Sequence, residues 1–341
     1  MTHISLRQQH GLSLVELMVA MALSLLLMLG VMQIFLSSKQ TYSTNVALSR
    51  VQESGRFALD FLARDIRSAG YKGECLGIPN NLLNEASSAY SNELFDLNVA
   101  IMGWDENVSP AAASKITGIA NRTPGTDMIL VKHAAQASGA TATGATPANS
   151  NTISVNTASS IPNDSIVIVA DALGCDVFQT SNNKNANSLT RRNQGTPGNK
   201  NPGHYEFSHA YGNTMEILTL QSALYYIGTG ANNRPSLRRI TFNTGTPINM
   251  EMVEGIENMQ ITYGLVNAER QVTEYKTAKH ITQAKWGDVG SVRLQLLAIG
   301  ADQNVATTTQ KLLFDGSNID ISEKRLGQVF TSTLGVRNRL P

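Results

Sequence analysis

The chain has 341 residues, with 27 basic and 26 acidic side chains and a net charge of +1. That balance provides no positive field for nucleic acid, and the length suits one large domain or two modest ones. Aromatic residues make up 6% while glycine occurs 27 times, a composition nearer to a loop-rich β domain than to a helical bundle.

Residues 1–11 contain Arg7, His3 and His10 and no acid. From 12 to 36 only Ser13, Glu16, Ser24, Gly30 and Gln33 interrupt an apolar run. At about 1.5 Å per residue a helix over this run is roughly 37 Å long, enough to cross a bilayer. A basic head stays cytoplasmic, so the remainder is expected to face outward. No Ala-x-Ala site follows Leu36; Ser37-Ser38-Lys39-Gln40 continues the helical pattern, unlike a cleaved secretory signal. A plain signal anchor accounts for all of this except Gly11 and Glu16. A carboxylate in hydrocarbon costs about 3 kcal/mol or more and marks function; the alternative is a helix-end carboxylate that snorkels to the interface.

Gly11-Leu12-Ser13-Leu14-Val15-Glu16-Leu17 resembles the processing motif of type IV pilins and pseudopilins. The resemblance implies that a prepilin peptidase cuts after Gly11 and methylates the new amine of Leu12. Leu12 departs from the Phe or Met more usual at that place. In a low-dielectric filament core an amine and a carboxylate each need a partner. Glu16 is therefore expected to pair with the Leu12 amine of a neighbouring subunit and set its register.

The first proline is Pro79. Leu48, Val51, Gly55, Leu59, Leu62, Ile66 and Ala69 recur at steps of three and four and predict an amphipathic continuation that packs on a sheet. Glu53, Arg56, Asp60, Arg64 and Arg67 recur on another face. One helix from 12 to about 69 would be roughly 87 Å long, with Gly30 as its weak point. The boundaries expected are a leader over 1–11, a membrane or filament-core helix over 12–36, an amphipathic helix over 37–70 and a β-rich outer domain over 71–341.

Beyond Gly70, segments 128–132, 165–170, 215–220, 223–227, 237–242, 258–263, 292–299 and 329–336 carry the Ile, Val, Thr and Tyr content of strands, bounded by Gly, Pro or Asn. Segments 134–151 and 181–202 lack periodicity and are expected to be flexible surface loops. The predicted fold class is α+β: a long N-terminal helix on a mainly antiparallel sheet domain. Arg191-Arg192 and Arg238-Arg239 are taken as solvated surface pairs. The two cysteines, Cys75 and Cys175, form a disulfide candidate if the domain lies outside the cytoplasm.

A second resemblance is narrower. Arg64 to Tyr71 followed by Cys75, Gly174-Cys175-Asp176-Val177-Phe178, the run from Val253 to Gly264, Trp286 with Val292-Arg293-Leu294, and the run from Phe330 to Asn338 are similar, in order, to stretches of the PilW family of minor pilins. This implies a low-abundance pilin of the initiating, tip-located complex. Its partners would be other minor pilins, the major pilin and the prepilin peptidase. It would reside in the inner membrane, with its domain periplasmic, before assembly and in the pilus afterwards. A Cys75–Cys175 bridge would close a loop of about 100 residues, worth roughly 4–5 kcal/mol in the chain-entropy model; two free thiols are the alternative. The competing readings are a type II secretion pseudopilin and a tip adhesin or DNA-uptake subunit.

No Gly-x-Ser-x-Gly, His-Glu-x-x-His, Walker or dinucleotide motif occurs, so no enzyme and no cofactor is expected. His204 and His209 are five apart, on opposite sides of a possible strand, and Asp164, Asp171 and Asp176 lack calcium-loop spacing. Glu254 and Glu257 are taken as surface carboxylates.

Overall fold

The computed structural model describes residues 13–106, 116–137, 139–157, 161–181 and 186–338. Helix α1, Leu14–Ser68, runs unbroken for 55 residues, through Gly30, about 82 Å. Ser13 caps it: its Oγ accepts the Glu16 N–H at 3.1 Å. Gly70, at φ 75°, ends it by turning the chain into a conformation that favours glycine, and its N–H donates to Lys132 O.

In chain order the strands are β1 Asn80–Asn81, β2 Ile101–Trp104, β3 Met128–Gln136, β4 Thr152–Ser154, β5 Ile166–Asp171, β6 Gly174–Gln179, β7 Ser188–Thr190 and β8 Glu216–Thr229. They continue with β9 Pro235–Thr241, β10 Ile248–Glu254, β11 Ile256–Val266, β12 Val272–Lys276, β13 Val289–Ile299, β14 Lys311–Phe314, β15 Ser317–Asp320 and β16 Gly327–Gly335. A short helix, α2, covers Asn92–Phe95. An eight-stranded sheet runs β1-β6-β5-β8-β3-β2, with β9 beside the far half of β8 and β10 beyond it. All its pairs are antiparallel except β1 with β6. A second antiparallel sheet runs β12-β11-β13-β16. The chain crosses between the sheets at Gly255, φ 85°, whose N–H donates to Pro235 O and whose carbonyl accepts the Ile299 N–H. The architecture is α+β.

The main core lies between α1 and both sheets. Strand β5 explains the local logic. Ile166, Ile168 and Ala170 enter the main core, while Val167 and Val169 enter a second cluster with Ile153, Leu189, Phe207 and Tyr211. A strand buried on both faces reads as a continuous apolar run.

Several expectations need correction. Segment 181–202 is no plain loop: it contains β7, and Arg191 and Asn199 are buried, while 182–185 lie outside the described residues. Segment 134–151 begins as the end of β3 and contributes Ala137 and Ala140 to the second cluster. Arg191 is 1% exposed rather than solvated. Its guanidinium donates to Tyr205 O at 2.6 Å and lies over the Phe207 ring, so burial leaves its charge partnered. Arg238 and Arg239 are tied into the domain, Arg238 by Asn249 and Arg239 by Asp65. Glu254 and Glu257 are half-buried in ion pairs with Arg234 and Arg325.

Candidate functional site

The apolar half of α1 stands free. Every residue from 13 to 39 is exposed, including Leu14 at 77% and Leu27 at 72%. A helix apolar all round belongs in an apolar surrounding, and this stretch is long and apolar enough to cross a membrane. Gly11 and Leu12 lie outside the described residues. Glu16 is exposed in the first turn, where a carboxylate complements the helix dipole. Ser13 and Glu16 have the Ser-x-x-Glu spacing of a capping box, a legible signal that reading Glu16 only as an assembly residue passes over.

The lower half of α1 is held as a spine. The domain first touches it where Gln40 and Thr44 donate to Val305 O. Ala47, Val51, Gly55, Ala58, Leu62 and Ile66 are among its buried positions. Val51, Gly55, Leu62, Ile66 and Ala69 hold the expected stripe, whereas Leu48 is 36% exposed and Leu59 only partly buried, the small Ala47 and Ala58 being buried one residue earlier in each case. At Gly55 the Phe330 ring of β16 occupies the place a Cβ would take, so glycine is required there by contact.

One turn from the helix end, Asp65 anchors α1 to the first sheet. Its carboxylate accepts from Tyr225 Oη at 2.7 Å and from Arg239 Nη2 at 3.1 Å. His133 Nε2 lies 3.9 Å away, an electrostatic contact rather than a hydrogen bond. Burial alone raises the Asp65 carboxyl, but His133, Arg239 and Tyr225 together hold it below the usual carboxylate range. Burial, then the Asp65 charge, pushes the Tyr225 hydroxyl up.

Beyond the helix the sulfurs of Cys75 and Cys175 are bonded, with Cα atoms 5.4 Å apart and a sequence separation of 100. The bridge ties the helix exit to β6. Next to it Asp176, fully buried, accepts from Asn80, Ser208 and Tyr211. His209 Nε2 sits 2.9 Å from Oδ1 of Asp171, the last residue of β5. Sequence spacing separates His209 from His204; the structure pairs His209 with Asp171 and uses it to hold a loop on a hairpin. Among the described residues no group of three or more His, Cys, Asp or Glu could hold a metal ion.

Two buried charges staple parts of the domain. Lys132 is fully buried, and burial pushes its ammonium down to about 7. It donates to Glu93 O at 2.6 Å and to Asn92 O at 3.4 Å. Asp127 joins the two sheets: its N–H donates to Met259 O and its Oδ2 accepts the Ile261 N–H at 2.8 Å. Burial, reinforced by the charge of Asp105, pushes its carboxyl up to about 7. These residues carry no sequence signal, because burial and partners come from distant segments.

Residues 224–338 match the family model described as Type IV Pilus-assembly protein W. Residues 6–32 match the Prokaryotic N-terminal methylation motif, a span that includes Gly11, Leu12 and Glu16. No curated protein matches the chain. Among solved structures, a type IV-like pilin from Thermus thermophilus is 9% identical; the alignment covers 86% of this chain and 98% of that one, with a TM-score of 0.35.

Proposed function

We infer that this chain, which carries a Type IV pilus-assembly protein W domain behind an N-terminal methylation motif, works as a minor pilin in type IV pilus assembly. The observation that carries the reading is the exposed arm, apolar on every side over 14–36 and continuous with a helix locked into the domain. Such an arm is stored in a membrane and transferred to a filament core without unfolding the domain, because both surroundings are apolar. The basic head keeps residues 1–11 cytoplasmic and places the domain outside, where a Cys75–Cys175 bridge persists. Hydrolysis of the Gly11–Leu12 peptide bond frees the Leu12 amine. Glu16 then pairs with that amine on a neighbouring subunit, which makes the protein dependent on another pilus component. Its partners on this reading are other minor pilins and the major pilin, with the prepilin peptidase as processing enzyme, and its place is the initiating complex at the tip.

Replacing Glu16 with Ala tests this. Membrane insertion should persist while incorporation into pili falls; unchanged incorporation would sink the assembly role. Loss of pili with intact type II secretion after gene deletion separates this reading from a secretion pseudopilin. The match over 224–338 favours the pilus.

A further inference from the structure

The solvent face of α1's lower half has an unbalanced charge. Arg56, Arg64 and Arg67 lie on it, and the C-terminal segment adds Arg337 to the same end. That placement is built: Asn338 Nδ2 donates to Ala69 O at 3.0 Å, fastening the last described residues to the helix terminus. All four arginines are exposed, and among the described residues none makes a hydrogen bond or ion pair. Arg50, farther down, is by contrast paired with Asp302. Against the four guanidiniums the face offers the carboxylates of Glu53 and Asp60, so it keeps a positive excess. Two aromatic rings share it, Tyr42 at 72% exposed and Phe57 at 51%. Exposed aromatic and arginine side chains together are the composition of a protein interface.

Position decides among partners. From Leu36, the last residue of the apolar run, the helix climbs about 42 Å to Arg64. The attraction of an anionic bilayer fades within a Debye length, about 8–10 Å, so lipid headgroups do not reach Arg64, Arg67 or Arg337. A second copy meeting it across a two-fold axis would present the same positive excess, and like charges across an interface are unfavourable.

We propose that the outer face of α1 between Tyr42 and Arg67, extended by Arg337, docks the carboxylate-rich face of a different pilus subunit. This rests on the minor-pilin reading and specifies the partner's chemistry: acidic, protein and non-identical. The face therefore favours mixed over self-assembly.

The test uses the full-length chain in its own cell membrane, with a photo-crosslinking side chain at Phe57. The expected product joins this chain to a different pilus subunit, at a carboxylate-rich segment mapped by mass spectrometry. Reversing Arg64→Glu, Arg67→Glu and Arg337→Glu together should lower its yield about tenfold, while Lys at the three positions should retain most of it. Among the described residues these side chains make no hydrogen bond or ion pair, and protease resistance with an intact Cys75–Cys175 bond checks folding. As a measurement free of variants, the wild-type yield in detergent extracts should fall as salt rises. A crosslink to a second copy or to lipid, a yield unchanged by reversal, or a yield indifferent to salt overturns the proposal. If gene deletion abolishes pili, those outcomes overturn this inference alone; if deletion leaves pili intact, the functional reading fails with it.

Discussion

Over 14–39 helix α1 exposes every residue, and from Gln40 to Ser68 it buries one face against two sheets. The two halves share a backbone and differ in how apolar residues are distributed around it. In the arm they surround the axis; in the spine they form a stripe of Val51, Gly55, Ala58, Leu62 and Ile66. Fully burying one Leu or Val is worth about 1.5–3 kcal/mol, so the arm holds a large driving force that the domain leaves unsatisfied, whereas the spine's is already met by the core. The arm's surroundings must come from outside the molecule.

The largest expected effect breaks the spine's side of this contrast alone. Replacing both cysteines with Ser should cost about 4–5 kcal/mol of domain stability, since the bridge joins residues 100 apart in sequence. Denaturant unfolding of the detergent-solubilised chain measures it, and membrane retention of the arm should be unchanged. Leu62→Ala, at a fully buried position, should cost about 2–5 kcal/mol, whereas Leu27→Ala in the arm should leave domain unfolding untouched.

Asp127 sharpens the contrast by pH. Its carboxyl titrates at about 7 in the folded protein against an ordinary 3.8. Between those values the folded state holds a proton that the unfolded chain has released, so stability falls as pH rises from about 4 to 7 and levels off above. Asp127→Asn keeps an acceptor for Ile261 N–H and should flatten that slope, a change of about 4 kcal/mol across the window.

The two helix glycines give a smaller and more direct comparison. A Cβ added at Gly30 would meet no atom within 4 Å, while at Gly55 the Phe330 ring fills the corresponding place. Gly30→Ala should favour the helix by up to about 1 kcal/mol. Gly55→Ala should instead destabilise by about 1–2 kcal/mol through overpacking, and adding Phe330→Ala should remove the clash. Smallest of all, Ser13→Ala should cost about 1 kcal/mol of helix-end stability, seen as faster amide exchange over the first turn with no change in domain unfolding.

Much of this is legible in the sequence because helix and membrane signals are local. The apolar run, the lack of proline before Pro79 and the three-four spacing place α1 to within a residue or two of its ends. The eight expected strand segments fall on seven strands, 215–220 and 223–227 being two parts of β8, since a run such as Ile166-Val167-Ile168-Val169 needs no distant information. Short strands such as β4, β7, β14 and β15 escape a sequence reading because they are brief and rich in Ser, Thr, Asn or Lys, with pairing supplied from elsewhere. Arg191 fails for the same reason in reverse: its charge argues for solvent, and only Tyr205 and Phe207, brought close by the fold, explain its burial.

The sequence by itself determined that one rigid helix would carry an apolar arm with Glu16 near its head, because periodicity and hydropathy act over neighbouring residues. The tertiary structure decided what each side of the lower helix meets. Phe330 seated on Gly55, and Asp65 held by Tyr225 and Arg239, fix the rotation of α1 about its axis. The three-four spacing already sets Arg56, Arg64 and Arg67 on the outer face; only the fold brings Arg337 beside them, because a contact between segments so far apart in sequence has no local signal.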